Sequence, residues 1–419
     1  MIRASALYIS LILSMLIVLV CGSVLLIGYT YRMENKKLER RDKLEQNLES
    51  GLTVVLQAGF GADTLKKTSL YGLEQDSVLL DKQPWGIYEM GLVKAWIGGD
   101  TLQKAFLIGA GVKDSLKVLY LADEDRPLSI SGKSLIRGTA YLPKSGIKAA
   151  YVENATYTDK TLVYGGIKDS GRQLPEPEQD FLQQAVDLLA ALADKDLLAN
   201  QMTAPDKDST VNSFYSPVKK IYMQEPHADL SGYRARGKVM IFADSSLVLD
   251  ESTGLEQVIL VAPYVQIKDG FKGQLQVFAS DSIRVGDKVQ LNYPSALLVL
   301  KNDTAKFQVR IDIGKDCSIA GQLFAYEKQR SQLMPVIAVA EGTVVKGEVY
   351  VKGYLNLAKR AAVQGSVELI RFMAKTSSSL YENYLIDVQL NRPARSKYYL
   401  CSKLFNGRAD QNKVLCWLW

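Results

Sequence analysis

Apolar residues are most concentrated next to the N-terminus. From Ala4 to about Tyr29 the chain is almost wholly apolar and carries no charge. At about 1.5 Å per residue, a helix of this length exceeds the hydrocarbon thickness of a bilayer. A secretory signal has a shorter apolar core followed by a small-residue cleavage site. The pattern therefore predicts an uncleaved transmembrane anchor over residues 1–30, with residues 4–29 in contact with lipid.

The helical pattern continues past the apolar run. Leucine and valine recur at helical spacing on one face, at Leu44, Leu48, Leu52, Val55 and Leu56, while acidic and basic residues alternate on the other. Residues spaced in this way lie on one side of a helix and are buried together. We therefore expect one long helix, its first half in lipid and its second half packed on a globular domain.

Four short strands are predicted after the helix. They cover residues 77–81, 85–96, 101–109 and 116–121, and Gly98-Gly99-Asp100 is a tight-turn sequence between two of them. This N-terminal part resembles type IV pilin-like proteins, most of all minor pilins. The resemblance implies a small α+β module over residues 31–121, in which the helix packs on an antiparallel sheet. The sequence lacks the Gly-then-aromatic leader site and the Glu five residues into the apolar run that pilins have.

A different pattern starts near Leu128. The order apolar, any, Gly, any, apolar or Ala, any, apolar recurs at residues 136–142, 271–277, 319–325, 345–351 and 363–369. Alternation places every second side chain on one face, and glycine allows a corner without a Cβ clash. The pattern predicts an irregular parallel β-solenoid over residues 122–375, similar to the polymer-forming β-helix domains of bactofilins. Its corner glycines are Gly138, Gly273, Gly321, Gly347 and Gly365. An antiparallel β-sandwich alternates in the same way and is the other possible fold.

Two segments interrupt or follow the repeats. An apolar stripe after the Pro-Glu-Pro-Glu sequence at 175–178 predicts an inserted helix at about 175–200. Residues 376–419 form a basic, aromatic tail that we expect to cap the last repeat. Cys401 and Cys416 bracket a short loop in this tail, and a disulfide between them is sterically plausible. Two free thiols remain the alternative. The predicted fold class is thus mainly β, with a transmembrane helix, a pilin-like α+β module and a solenoid with an inserted helix.

Charge and composition exclude several function classes. The 51 Lys and Arg residues are interspersed with 45 Asp and Glu residues, which gives a net charge of only +6. Without a dense basic block that contains aromatic residues, we expect no nucleic-acid partner. The chain has one histidine, His227, and four cysteines without paired metal-ligand spacing. We therefore expect no metal and no cofactor.

The motif search finds no catalytic pattern. The chain has no phosphate-binding loop that ends in Gly-Lys-Ser/Thr and no Gly-x-Ser-x-Gly elbow. Carboxylates cluster at Asp244, Asp250 and Glu251 and again at Asp281 and Asp287, which is typical of residues that end strands at turns. Carboxylates on a solenoid face also cleave polysaccharides in some β-helix enzymes. The first interpretation is the simpler one, and we expect that the protein is not an enzyme.

The predicted function is that of a membrane-anchored, non-enzymatic structural or assembly protein of the cell envelope. Its solenoid would serve self-association or the docking of protein partners. The pilin resemblance places the bulk domain outside the cytoplasm. The basic residues Arg32, Lys36, Lys37, Arg40, Arg41 and Lys43 after the span point the other way. The alternatives are a carbohydrate-binding or carbohydrate-cleaving β-helix protein and a bactofilin-like scaffold that faces the cytoplasm.

Overall fold

The fold is mainly β, as the alternating pattern predicts. The computed structural model describes residues 2–57, 59–61, 64–72, 76–112, 116–152, 155–193, 202–203, 208–301, 307–376, 379–404 and 409–419. Its α-helices are α1 (Ile2–Leu56) and α2 (Gln179–Ala190), and single 3₁₀ turns cover Ala191–Ala193 and Arg392–Ala394. The uninterrupted N-terminal helix and the second helix were both expected. The predicted end of the inserted helix, residues 194–200, lies outside the described residues.

The strands follow in chain order. They are β1 Thr64–Thr68, β2 Asp76–Trp85, β3 Tyr88–Ile97, β4 Asp100–Val112, β5 Lys117–Leu121, β6 Leu128–Ser131, β7 Leu135–Arg137, β8 Thr139–Leu142, β9 Ile147–Ala149, β10 Tyr151–Val152, β11 Ala155–Thr156, β12 Ile167–Asp169, β13 Ser209–Asn212, β14 Lys219–Met223, β15 His227–Asp229, β16 Arg234–Gly237, β17 Val239–Ala243, β18 Ser246–Leu249, β19 Gly254–Ile267, β20 Lys272–Val285, β21 Gln290–Lys301, β22 Arg310–Ile313, β23 Ser318–Glu327, β24 Val336–Val339, β25 Val344–Leu357, β26 Ala362–Val363, β27 Ser366–Lys375, β28 Leu380–Glu382, β29 Tyr384–Ile386, β30 Gln389–Asn391 and β31 Ala409–Leu418.

The chain divides into two compact units. The first contains residues 1–82 and 91–104, and the second contains residues 83–90 and 105–419. Within the first unit, β1 pairs antiparallel with β2 from Thr64↔Lys82 to Thr68↔Val78. Within the second, β31 pairs antiparallel with β4.

The fourth strand predicted for the antiparallel sheet has a different partner. β5 pairs in parallel with β27, with Leu119 opposite Val367. Its alternation of apolar and other residues fits either kind of sheet, so the local sequence did not reveal this partner. β31, which comes from the tail that we expected to be a cap, pairs with β4 instead.

The other strands pair mostly in parallel. One ladder has the order β14-β17-β19-β20-β21-β23-β25-β27-β5-β8-β12. A second has the order β13-β16-β19-β20-β21-β23-β25-β26-β30-β7. A third ladder runs from β15 through β18, β19, β20, β22 and β24 to β25. The long strands contribute to more than one ladder, so the three ladders join side by side around one core as a closed parallel barrel, and β12 and β13 remain at the two ends of the stack. Parallel pairing rules out the antiparallel sandwich.

The order of strands in this parallel stack differs from their order in the chain. β5, β8 and β12 follow β27, although they precede it by about half the chain. β13, β14 and β15 form the opposite end of the stack. Helix α2 lies in the chain between these two ends and packs on β19 and β20 through its buried Phe181, Leu182 and Ala185.

The three ladders enclose one apolar core. Val, Leu and Ile side chains from successive repeats meet there, for example Leu260, Val277, Leu297, Leu323 and Val349, each 2% exposed or less. Burial of each such side chain contributes about 2 kcal/mol. The repeated alternation in the sequence is therefore the pattern that produces the core.

Candidate functional site

The first half of α1 is an exposed apolar surface. Its large apolar side chains from Leu7 to Tyr31 are 45–74% exposed. The hydroxyls of Ser10, Ser14, Ser23 and Thr30 each donate a hydrogen bond to the carbonyl three residues earlier, at 2.8–2.9 Å. A helix in lipid must satisfy its polar groups internally, and these do so. By length and composition this helix can cross a bilayer.

The second half of α1 packs within the first unit. Leu44, Leu48 and Val55 are 2% exposed or less. A Cβ on Gly51 would lie only 2.8 Å from Val93 Cγ1, so the helix approaches the sheet closely at a residue without a side chain. Arg40 Nε also lies 2.8 Å from Asp100 Oδ2 in an exposed ion pair. This half of the helix is thus fixed to the unit, as the apolar stripe predicts.

Three of the predicted corner glycines form a column. Gly321 pairs with Ser295 on one side and with Gly347 on the other. A Cβ on Gly321, Gly347 or Gly365 would lie 1.7–1.8 Å from the carbonyl oxygen of the residue one repeat earlier. Only glycine fits at such a distance. The three residues therefore share one structural role.

The other two predicted corners differ from this column. Gly138 has a φ of 133°, and its Cβ would lie 2.6 Å from the Leu116 carbonyl. Gly273 is crowded mainly by the ring of Phe271, at 2.6 Å. The shared sequence pattern thus covers glycines that are crowded by backbone and a glycine that is crowded by a side chain. It does not bring all five glycines together.

The residues after the column glycines are polar and buried. They are Gln322, Glu348 and Ser366, and none is more than 4% exposed. Arg395, which follows the 3₁₀ turn of the tail, forms a buried ion pair with Glu348, and the Ser366 hydroxyl donates to the same carboxylate. A buried charge is tolerated only when it is paired and hydrogen-bonded. The ion pair therefore holds the tail against the parallel stack. We call Arg395, Glu348 and Ser366 the tail clamp.

Two tyrosines extend the tail clamp. The Tyr399 hydroxyl donates to the Gly321 carbonyl at 3.3 Å, and the Tyr293 hydroxyl donates to the Leu400 carbonyl at 2.7 Å. Burial, and next the charge of Glu348, raises the pKa of Tyr399 well above its ordinary value. Burial likewise raises the pKa of Tyr293. Both phenols are therefore neutral hydrogen-bond donors and hold the tail in place.

The two tail cysteines are free thiols in the structure. The Cys401 backbone exchanges two hydrogen bonds with Ala110 on β4. Asn412 of β31 pairs with the other side of Ala110, and Cys416 pairs with Leu107. Strand β4 thus separates the two cysteines by two strand spacings, roughly 10 Å. A disulfide needs Cα atoms within about 7 Å, so the Cys401–Cys416 bond expected as one possibility is not formed.

Two of the clustered carboxylates, Asp250 and Asp287, stabilise turns, whereas burial raises the pKa of Asp281. Asp250 accepts hydrogen bonds from the Ser252 backbone and hydroxyl, at 2.9 and 2.5 Å. The side-chain hydrogen bond of Ser252, followed by that of Ser231, lowers the pKa of Asp250 to about 2. Asp287 accepts from the Lys315 backbone at 2.7 Å. Carboxylates held in this way remain ionised and engaged, which disfavours a role as general acid.

Some structurally important residues were missed by sequence reasoning. Gln276 accepts a hydrogen bond from the Ile87 backbone at 2.9 Å and donates one to the Trp85 carbonyl at 3.1 Å. Arg395 and Glu348 were not singled out either. The available signal was a charged residue, Glu348, next to a glycine of the repeated pattern. His227 begins β15, and its Nδ1 lies 2.8 Å from the Ser246 hydroxyl.

Comparisons with known proteins give little information. No protein-family model matches the chain. None of the curated proteins matches it either. Among solved structures, the competence-associated pilin ComZ from Thermus thermophilus is similar at 10% sequence identity, over 85% of this chain and 86% of the pilin chain, with a TM-score of 0.24. A TM-score this low does not establish a shared fold.

Proposed function

We propose that this protein is a single-pass, membrane-anchored, non-enzymatic structural or assembly protein of the cell envelope. Its first unit is a pilin-like module, and its parallel stack is an irregular, bactofilin-type β-solenoid that serves self-association or partner docking. The bulk of the protein lies outside the cytoplasm. The observation on which the proposal rests most is the exposed apolar half of α1 (Ile2–Leu56), which continues without a break into a packed half.

The anchor is supported by energetics. Exposing the eighteen large apolar side chains from Leu7 to Tyr31 to water is unfavourable by about 1.5 kcal/mol or more for each, and a bilayer removes this penalty. The hydroxyls of Ser10, Ser14, Ser23 and Thr30 already bond to the helix backbone, so lipid does not leave these four groups unsatisfied. Tyr29 and Tyr31, at the end of the run, suit the membrane interface.

The solenoid interpretation is supported by register. In the third quarter of the chain each strand pairs in parallel with the strand one repeat later, as in Val277↔Leu297 and Leu297↔Leu323. A chain that returns to the same ladder after every repeat winds as a solenoid. The three ladders then correspond to the three faces of each coil.

Docking is supported by the two ends of the stack. β13 and β12 each pair with a strand on one side, and no strand pairs with their other edge among the described residues. Val211 on β13 is 65% exposed and Ile167 on β12 is 55% exposed. Unpaired edges with apolar side chains are templates for strand addition. Parallel edges at opposite ends allow copies to stack head to tail.

The anchor is tested by flotation of the full chain with lipid vesicles. We expect the protein to float, and Leu16→Arg combined with Val20→Arg to abolish flotation, because charges at mid-bilayer are strongly unfavourable. Leu38→Arg is the matched control, since Leu38 is 58% exposed on the same helix beyond the apolar run. Flotation of the double variant, or none by the unchanged protein, would refute the anchor.

Orientation and assembly need separate measurements. Protease digestion of the bulk domain from outside intact spheroplasts supports export, whereas protection there favours the cytoplasm-facing scaffold.

For self-association, Val211→Lys with Ile167→Lys is expected to lower the sedimentation coefficient of the detergent-solubilised protein. Leu380→Lys, at a residue 61% exposed away from both edge strands, is expected to leave it unchanged.

A further inference from the structure

An open groove lined by both polar and apolar residues follows one face of the parallel stack. It has a volume of about 540 Å³ and is lined by β13, β16, β19, β20 and the start of β21. Neighbouring strands lie about 4.8 Å apart, so these five strands span roughly 19 Å along the stack. The groove is therefore elongated across the repeats.

The floor of the groove is a glycine between two cations. Ser209 pairs with Arg234, and Arg234 pairs with Gly254. Arg236 pairs with Glu256, and Glu256 with Gln274, which places Lys272 beside Gly254 in the same register. A Cβ on Gly254 would lie 3.2 Å from Arg234 Cγ, so the aliphatic stem of Arg234 lies across the glycine. Arg234 and Lys272 lie on either side of Gly254, so their backbones are roughly 10 Å apart.

The groove has uncompensated positive charge. Its one carboxylate, Glu256, is 3.0 Å from Arg236 Nε and neutralises that residue. Arg236 is also oriented by the ring of Trp419, whose centroid is 4.4 Å from its guanidinium carbon. No carboxylate of the described residues forms an ion pair with Arg234 or Lys272. The groove thus contains two exposed cations that can bind an anionic ligand.

Neutral polar side chains surround these cations. Ser209, Gln274 and Asn292 line the same groove and offer hydroxyl and amide groups as donors and acceptors. A ligand with both carboxylates and hydroxyls satisfies this mixture, because cations bind carboxylates while amides bind hydroxyls. The ring of Trp419 is already in contact with the Arg236 guanidinium. Nucleic acid, which favours free aromatic faces and denser cations, fits less well.

We propose that the groove between Arg234 and Lys272 binds a linear acidic polysaccharide that lies along the stack. Carboxylates of the sugar chain contact the two cations, and its hydroxyls contact Ser209, Gln274 and Asn292. The proposal deepens the docking role proposed above by naming the chemistry of one partner. It does not depend on the membrane anchor.

The test titrates the full chain in detergent micelles with polygalacturonate and measures binding by calorimetry. We expect saturable binding that weakens with added salt, and about tenfold or greater weakening in the Arg234→Gln/Lys272→Gln variant, because two charge-assisted contacts are lost. Arg284→Gln with Lys288→Gln removes the same charge away from the groove and is expected to bind like the unchanged protein.

A second variant and two further probes complete the test. Gly254→Gln fills the floor without changing charge and is expected to weaken binding, with circular dichroism confirming that it folds. Fully methyl-esterified polygalacturonate and polyglutamate are expected to bind about tenfold more weakly. Equal binding of either probe, absence of binding by the unchanged protein, or equal losses in both double variants would overturn the proposal. Flotation with vesicles measures membrane binding by the anchor alone. We expect every one of these variants to float like the unchanged protein.

Discussion

The carbonyl oxygen of Gly321 lies 1.7 Å from the position that a Cβ atom on Gly347 would occupy. The same relationship recurs between the Gly347 carbonyl and Gly365, again at 1.7 Å. Two successive repeats thus approach each other so closely at this point that a side chain cannot be accommodated without a backbone shift. The column of glycines is a steric requirement of the stack, and the substitution of any one of them tests it.

Gly365→Ala is expected to destabilise the second unit by about 3 kcal/mol or more, because the new methyl group meets backbone atoms that cannot move aside cheaply. The measurement is guanidinium unfolding of the detergent-solubilised chain. Gly166→Ala is the matched control, since its Cβ would meet Thr139 at an ordinary 3.7 Å. Equal stability of the two variants would show that the backbone around the glycine column can shift to admit a methyl group, contrary to the prediction.

The ion pair of the tail clamp gives a second prediction. Arg395→Met removes the partner of the buried Glu348 carboxylate and is expected to lower the free energy of unfolding by about 3–5 kcal/mol. Adding Glu348→Met should recover most of this loss, because an apolar pair avoids the buried charge. The measurement is a double-mutant cycle from guanidinium unfolding.

A nearby residue controls for general effects on the tail. Lys397→Met removes an exposed cation two residues from Arg395 and is expected to change stability by less than about 0.5 kcal/mol. A small effect of Arg395→Met, similar to that of Lys397→Met, would mean that the tail is not fastened through this pair. Absence of recovery in the double variant would indicate a loss of packing instead.

The sequence pattern was sufficient for features that depend on local periodicity. Ala4 to Tyr29 could be assigned to an exposed helix because no charge interrupts them, and Leu44 and Leu48 lie on its buried face as their spacing requires. The five glycines of the recurring pattern could be found in the same way, and their role as solenoid corners stays a prediction. Periodicity identifies which side chains share a face, and these features need nothing more.

Partners distant in the chain could not be predicted in the same way. Leu119 and Val367 pair in parallel across more than half the chain, yet either alternating segment fits an antiparallel neighbour equally well. Likewise, the sequence pattern places Glu348 on the surface, and its burial is explained only by the ion pair with Arg395 of the tail. Register and ion pairing at such distances depend on how the stack closes, which single-sequence patterns do not encode.

A carboxylate network predicts how stability changes with pH. Glu124 contacts Arg330 at 2.6 Å and Arg371 at 2.7 Å. Burial raises the pKa of Glu124, but the hydrogen bonds from Arg330 and Arg371 outweigh it and hold the pKa below the ordinary 4.5. A carboxyl whose pKa is lowered by folding stabilises the folded state above 4.5, and this contribution is lost as the pH falls through the folded-state pKa.

Glu124→Gln is therefore expected to be less stable than the unchanged protein at neutral pH, with a difference that shrinks as the pH falls below 4.5. Urea unfolding at a series of pH values measures this difference. Glu341→Gln, which disrupts an exposed pair with Arg360, serves as control and should show little effect at any pH. A difference for Glu124→Gln that stays constant with pH would exclude the proposed titration.

The tail thiols provide the last prediction. Burial raises the pKa of Cys401 to about 12 and that of Cys416 to about 11. Because the thiolate is the reactive form, both should react slowly with N-ethylmaleimide in the native state and rapidly after denaturation. Reductant should make no difference, since β4 separates the two residues. Mass spectrometry of the labelled peptides measures each site, with buried Cys317 as an internal reference for slow labelling. Labelling of Cys401 and Cys416 only after reduction would instead demonstrate a disulfide and require the tail to leave its place beside β4.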